Sequence, residues 1–309
     1  MRKTSLEMVY EHACLDPRVV FIGSDVGPGT LSKFREEMPD RFFMEGISEA
    51  NAVGMAAGLA SEGYTVYVNT IAVFLTRRVY EQVALDVCLR NLNVRLIGNG
   101  GGMVYAPLGP THMATDDIAL MRALPNMTII APADVPEMRR LMRGLRTQTG
   151  PAYIRVGKGT EPEVTGHVEA PFAGACLMQE GAGVVVATTG ITLHTALAAA
   201  DQLAAAQLRP TLLHFPVVKP LDTDSLTLHL RDASALVVVE EHVPAGGLAS
   251  AIAQWLVSRD DLRHVRTRRI GLPDTFPNRY GSQAQLLEHY GITPLHIAET
   301  VQALHGGDQ

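Results

Sequence analysis

Met44-Glu45-Gly46-Ile47-Ser48-Glu49-Ala50-Asn51-Ala52-Val53-Gly54-Met55-Ala56-Ala57-Gly58-Leu59-Ala60 is the stretch whose reading decides the fold. It reads as the end of a strand, a turn, and a helix starting at Ser48, a residue type that caps helix N-termini. The helix is crowded with small residues. Gly54 and Gly58 are four apart and share one face, the pattern of a helix that packs closely on a neighbour. Glu49 opens the first turn. A carboxylate there complements the partial positive charge of the helix start, which is sufficient reason for it on its own.

Similar alternation runs outward in both directions. Short apolar runs rich in β-branched residues occupy 19–22, 65–71, 94–98, 127–131, 152–156, 183–188, 211–218 and 235–240. Runs so continuously apolar suit strands buried on both faces of a parallel sheet. Helical patterns lie between many of them, at 48–61, 76–90, 136–146, 192–206 and 245–257. Repeated strand–helix–strand units predict an α/β chain of two doubly wound domains. The segment around 158–174, KGTEPEVTGHVEAPFAG, has no periodicity and is rich in Gly, Pro, Thr and Glu. It reads as a linker. The expected division is a first domain over 1–160, a linker over 161–180 and a second domain over 181–309.

Composition narrows the function classes. The formal charge of −6 argues against a general nucleic-acid binder or a polybasic membrane surface. No apolar run reaches the length of a membrane-spanning helix. Met1-Arg2-Lys3 leads into Thr4-Ser5-Leu6-Glu7, which reads as a capping box and not as the apolar core of a leader. Cys14, Cys88 and Cys176 are widely spaced in apolar stretches, without metal-ligand spacing. They read as buried thiols of a cytoplasmic protein.

Four segments, in order, carry a resemblance. GISEANAVGMAAGLA is similar to the segment around the catalytic glutamate of transketolases and deoxyxylulose-phosphate synthases. Phe74-Leu75-Thr76-Arg77 with Tyr80-Glu81-Gln82 resembles the family's aromatic strand-to-helix turn. Gly109-Pro110-Thr111-His112, then Asp116-Asp117 and Pro125-Asn126-Met127, resembles its G-x-T-H region. Lys219-Pro220-Leu221-Asp222, Glu240-Glu241-His242 and Gly246-Gly247-Leu248 resemble its C-terminal domain. The likeness covers almost the whole chain. It implies a pyrimidine-binding thiamine-diphosphate domain followed by a transketolase C-terminal domain.

The resemblance also implies roles. Glu49 would meet N1′ of the cofactor's aminopyrimidine, and Phe74 would stack on that ring, with Arg77 and Tyr80 beside it. His112 would face substrate and move protons at the donor hydroxyl or acceptor carbonyl. Pro110-Thr111 suggests a turn into a helix, with His112 at the helix start. His242 reads as structural. The implied activity is transfer of a two-carbon ketol unit from a ketone donor to an aldehyde acceptor.

One family feature is missing, and three positions depart. The chain contains no Gly-Asp-Gly, the opening of the family's diphosphate and Mg²⁺ signature. A second subunit is therefore expected to hold the diphosphate and the metal, most simply in a heterotetramer with two copies of each chain. Leu108 precedes the G-x-T-H glycine where many transketolases have Asp, and Gly100 stands where the family often has His. Lys158, with Arg155 nearby, stands where a phosphate-binding Arg is common, and a lysine offers a point charge in place of a planar fork. These departures predict substrates other than the ordinary pentose phosphates. Two rival readings are the E1 β chain of a 2-oxo-acid dehydrogenase and a non-catalytic paralogue that serves as an assembly partner. The Gly-Pro-Thr-His and Phe-Leu-Thr-Arg segments weigh against the first. Retention of Glu49, Phe74 and His112 weighs against the second.

Overall fold

The computed structural model describes residues 1–24, 28–159 and 161–305. The first half supplies strands β1 (Val19–Gly23), β2 (Phe42–Met44), β3 (Thr65–Ile71), β4 (Val94–Asn99), β5 (Thr128–Ile130) and β6 (Ala152–Val156). The second half supplies β7 (Cys176–Gln179), β8 (Val184–Thr188), β9 (Thr211–His214), β10 (Val217–Lys219), β11 (Ala235–Val239) and β12 (Arg266–Ile270). Among the described residues they form two sheets, ordered β10-β5-β6-β4-β3-β1-β2 and β12-β11-β8-β9-β7. Pairing is parallel except at one edge of each sheet, where β10 runs antiparallel to β5 and β7 antiparallel to β9. Every residue of β1, β4, β6, β8 and β11 is buried, which is why these strands read as unbroken apolar runs.

Helices cover both sheets. They are α1 (Arg2–Leu15), α2 (Ser32–Glu37), α3 (Glu49–Ser61), α4 (Tyr80–Gln82), α5 (Asp117–Ala123) and α6 (Val135–Leu145) in the first half. The second half adds α7 (Thr192–Ala205), α8 (Thr223–Leu230), α9 (Leu248–Leu256), α10 (Gln283–His289) and α11 (Pro294–His305). Asp134 caps α6, its carboxylate accepting the Glu137 N–H, and Ser282 and Gln285 form a capping box on α10.

Several expectations are corrected. The run 211–218 is two strands in different sheets. β9 ends at His214, Pro216 supplies no N–H for a ladder, and β10 joins the first sheet as its edge. β7 falls inside 161–180, and the preceding segment is held down: the Asp134 carboxylate accepts the N–H groups of Val164 (2.6 Å) and Thr165 (2.7 Å). β12 escapes an apolar-run reading because it is a polar edge strand, Arg-Thr-Arg-Arg-Ile. The helix expected over 76–90 is two π-helical stretches, Phe74–Arg78 and Val83–Cys88, on either side of α4. Thr4-Ser5-Leu6-Glu7 is not a cap, because α1 starts at Arg2 and the Ser5 hydroxyl donates inward to the Arg2 carbonyl. Cys14 is exposed, while Cys88 and Cys176 are buried, and all three are free thiols. Among the described residues the Gly54/Gly58 face meets no neighbour: nothing lies within 4 Å of either Cβ position.

The two halves are joined by polar contacts around one strand end. The Glu241 carboxylate accepts the Met103 N–H at 2.8 Å and the Gln283 amide at 2.9 Å. Burial raises its pKa above the ordinary glutamate range against the pull of Arg155. His242 donates from Nδ1 to the Val243 carbonyl, and its Nε2 accepts the Ala119 N–H at the start of α5. These bonds hold the imidazole between the two halves.

Candidate active site

The site lies where parallel strands end and helices begin, the position at which open α/β sheets place ligands. After β2, Gly46 turns the chain with φ 65°, a conformation that glycine adopts without strain. α3 then starts at Glu49, whose side chain is only 3% exposed. Ser48 occupies the N-cap position but does not cap, because its hydroxyl donates to the Glu45 carbonyl at 2.5 Å. After β3, the chain turns through Ala72 and Val73 into the π-helical stretch Phe74–Arg78. After β4 come Gly100 and the loop to Gly109-Pro110-Thr111-His112.

Two of the expected residues, Glu49 and Phe74, meet at one that the sequence did not single out, and a third, His112, joins through Phe74. Arg78 Nη1 lies 2.8 Å from Glu49 Oε2, so the buried carboxylate is an ion-pair partner. The same guanidinium lies over the Phe74 ring, 4.3 Å from its centroid. The His112 ring meets the Phe74 ring edge-on, with centroids 5.4 Å apart and planes at 69°. Glu49, Arg78, Phe74 and His112 form one continuous cluster. Phe74 and His112 are half-buried, so the cluster is open to a ligand on one side. Arg78 escapes a reading that assumes regular helix. An α-helix over 76–90 leaves Arg77 and Arg78 equal claims, and the wider π turn settles the matter in favour of the residue four after Phe74.

The other expected residues sit elsewhere. Arg77 is engaged by Asp116, with its Nε 3.0 and 3.1 Å from the two carboxylate oxygens and Nη2 at 2.8 Å from Oδ1. That pair lines a cleft whose far wall is Asp274, Thr275 and Phe276 of the second half. The Tyr80 hydroxyl donates to the Leu120 carbonyl at 3.1 Å, which ties α4 to α5. Arg155 is engaged inside the protein. It is buried, pairs with Asp117 at 2.8 Å, and donates to the Glu241 carbonyl at 3.0 Å. Burial opposes its charge, but the carboxylates of Asp117 and Glu241 outweigh that and hold its pKa above the ordinary arginine value. Lys158 is exposed. His112 does not start a helix. It lies in a turn with its Nδ1 2.9 Å from the Thr111 hydroxyl, and α5 begins only at Asp117.

Gly100 and Leu108 define a local surface. Gly100 has φ 79°, and a Cβ there would meet Tyr105 Cε2 at 2.1 Å. The Tyr105 ring thus occupies the space of a residue-100 side chain. Leu108 ends a short 3₁₀ turn, 52% exposed, directly before Gly109. Tyr280 of the second half covers Gly109, its Cε1 2.7 Å from that residue's Cβ position. Neither tyrosine carries a sequence signal, because each reaches the site by packing over a glycine.

Chemically, the cluster offers a buried carboxylate, an aromatic face and an imidazole in succession. These groups suit a flat, nitrogen-containing ring held by hydrogen bonding and stacking. Among the described residues no three His, Cys, Asp or Glu side chains are grouped to hold a metal ion.

Comparison with known proteins places the chain in a family. The transketolase pyrimidine-binding domain model matches residues 1–162, and the transketolase C-terminal domain model matches 174–297. The chain is 32% identical over 307 residues to the 6-deoxy-6-sulfo-D-fructose transketolase subunit SqwH of Clostridium sp. (strain MSTE9), covering 99% of this chain and 93% of that one. It is also 32% identical to one of the subunits of the apulose-4-phosphate transketolase of Phocaeicola vulgatus, over 97% of this chain and 95% of the relative. The 1-deoxy-D-xylulose-5-phosphate synthase of Symbiobacterium thermophilum is 36% identical, but the match spans 94% of this chain and only 45% of the synthase. A split-gene transketolase solved as an inactive beta4 tetramer superposes with a TM-score of 0.89 at 31% identity, covering 98% of this chain and 97% of that one. The chain belongs to the transketolase family, as the counterpart of the half that carries the pyrimidine-binding and C-terminal domains in a split enzyme.

Proposed function

We propose that this chain is the pyrimidine-side subunit of a thiamine-diphosphate-dependent transferase that moves a two-carbon ketol unit from a ketone donor to an aldehyde acceptor. The observation that carries the reading is the meeting of the buried Glu49 carboxylate and the half-buried Phe74 ring at one point, with His112 edge-on beside them. The cofactor, when bound, supplies the carbon that attacks the donor and accepts the electron pair released by C–C cleavage. Glu49 holds or shares a proton at the pyrimidine N1′. Phe74 orients the ring by stacking, a contribution of about 0.5–1.5 kcal/mol beyond burial. His112 moves a proton at the donor hydroxyl and at the acceptor carbonyl oxygen.

The diphosphate and Mg²⁺ are assigned to a partner subunit in a cytoplasmic heterotetramer with two copies of each chain. Two features support a partner. Relatives that match along nearly their whole length are named as subunits. Among the described residues the face of α3 that carries Gly54 and Gly58 is open, and Ile47 just before α3 and Leu85 and Leu89 in and after the second π-helical stretch are 72%, 49% and 73% exposed.

For the substrate, Leu108 and the Tyr105 ring over Gly100 support a donor or acceptor with fewer hydroxyls than a pentose phosphate. Exposed Lys158 is the remaining cation for an anionic group at that position. The test is calorimetric titration of thiamine diphosphate with Mg²⁺ into the chain alone, the chain with the candidate metal-binding subunit, and the same mixture carrying Glu49→Ala. Tight, Mg²⁺-dependent binding in the wild-type mixture, absent from the chain alone and weakened by Glu49→Ala, is the expected result. Robust turnover of xylulose 5-phosphate with ribose 5-phosphate would overturn the substrate reading.

A further inference from the structure

Arg78 makes two contacts that together describe a ligand. It donates to Glu49 Oε2 at 2.8 Å, and the guanidinium carbon lies over the Phe74 ring at 4.3 Å from its centroid. A guanidinium is planar, delocalised and cationic, with N–H groups at its edge and π faces above and below. An aminopyrimidine with a proton on a ring nitrogen has the same flat shape and a similar donor edge. One side chain therefore satisfies at once the buried carboxylate and the aromatic face that the proposed function gives to the cofactor ring.

We infer that Arg78 is an internal placeholder for the cofactor's pyrimidine: it occupies the Glu49–Phe74 slot in the unloaded chain and is displaced when the ring enters. The inference rests on the proposed function. Its physical basis is the cost of leaving Glu49 without a partner. A carboxylate with 3% exposure and no counter-charge is expensive, and the guanidinium removes that cost until a ligand does so. Release is feasible because the Arg78 side chain is 48% exposed and can swing into water. Glu49 and Phe74 are thereby held in place before the ring arrives, and the ring must compete with Arg78 for them.

The sharpest test is equilibrium binding of thiamine diphosphate, in saturating Mg²⁺, to the assembled enzyme carrying wild-type chain, Arg78→Ala, Arg78→Gln or Glu49→Ala. Both Arg78 variants should bind about three- to tenfold more tightly than wild type, because the displaced stacking and ion-pair contacts no longer oppose entry. Guanidinium ion at millimolar concentration should weaken binding to Arg78→Ala competitively and leave wild type almost unchanged. Equal or weaker binding by both Arg78 variants, with wild type binding normally, overturns the placeholder and makes Arg78 a cofactor ligand or a bystander. A wild-type enzyme whose binding is indifferent to Glu49→Ala overturns the proposed function instead, and the placeholder with it. A folding defect in one Arg78 variant leaves the other, and the guanidinium competition, to decide.

Discussion

Arg155 and Asp117 form an ion pair sealed inside the molecule, Nε to Oδ2 at 2.8 Å, with side-chain exposures of 6% and 0%. Tyr153 donates to the same carboxylate oxygen at 2.8 Å, and Arg155 reaches across to the Glu241 carbonyl. A residue close in sequence to a candidate anion site is thus a tie between the two halves of the protein.

Arg155 and Lys158 should therefore separate cleanly. Removing one partner of a buried pair leaves the other charge uncompensated, so Arg155→Ala should cost about 3–5 kcal/mol of stability. Denaturant unfolding measures that cost. Lys158→Ala, at an exposed position, should unfold as wild type does and raise KM for an anionic substrate several-fold. A stable Arg155→Ala enzyme with a raised KM would reverse the assignment.

The site residues should differ in which kinetic constant they move. Glu49→Gln keeps the shape of the side chain but changes what it can do with a proton, and should lower kcat by about 10²–10⁴. His112→Ala should lower kcat with little change in cofactor affinity. Phe74→Ala should weaken cofactor binding by roughly three- to tenfold, the equivalent of a lost aromatic stack. Steady-state kinetics at varied cofactor concentration distinguish the three. An equal effect of all three on cofactor affinity alone would contradict the division of roles.

Gly100 and Tyr105 should behave as one unit. A side chain at residue 100 meets the Tyr105 ring at 2.1 Å and must also adopt φ 79°. Gly100→His should destabilise by about 1–3 kcal/mol through overpacking, with backbone strain in addition. Tyr105→Ala should recover the overpacking part in the double variant. The double variant should also improve activity on more hydroxylated sugars relative to wild type. Additive stability losses in a double-mutant cycle would show that the two residues do not share the space.

His12 supplies a pH dependence. Burial, then Arg146 and Arg95, pushes its pKa down to about 4 from the usual 6.5. Between those values the unfolded chain binds a proton that the folded chain refuses. This contribution is fully present above about pH 6.5 and is lost as pH falls towards 4, with an upper bound of about 3 kcal/mol. Unfolding free energies at pH 7 and 4.5 should differ less in His12→Gln than in wild type. An identical difference in both would place the acid sensitivity elsewhere.

The strand runs, the α3 segment and the motifs around Glu49, Phe74 and His112 were legible in the amino-acid sequence. Each depends on local rules: apolar continuity for a strand buried on both faces, glycine for a tight turn, and fixed spacing between a strand end and its helix. Tertiary structure alone decided four matters. It split 211–218 between two sheets at Pro216, because pairing partners lie far away in sequence. It sent Arg155 to Asp117 and Arg77 to Asp116, because a guanidinium near a site goes to whichever carboxylate the fold brings within reach. It put Tyr105 over Gly100 and Tyr280 over Gly109, contacts that arise only where a missing side chain leaves room. It also chose Arg78 over its neighbour, because the widened turn after Val73 sets which of two adjacent arginines lies over the Phe74 ring and reaches Glu49.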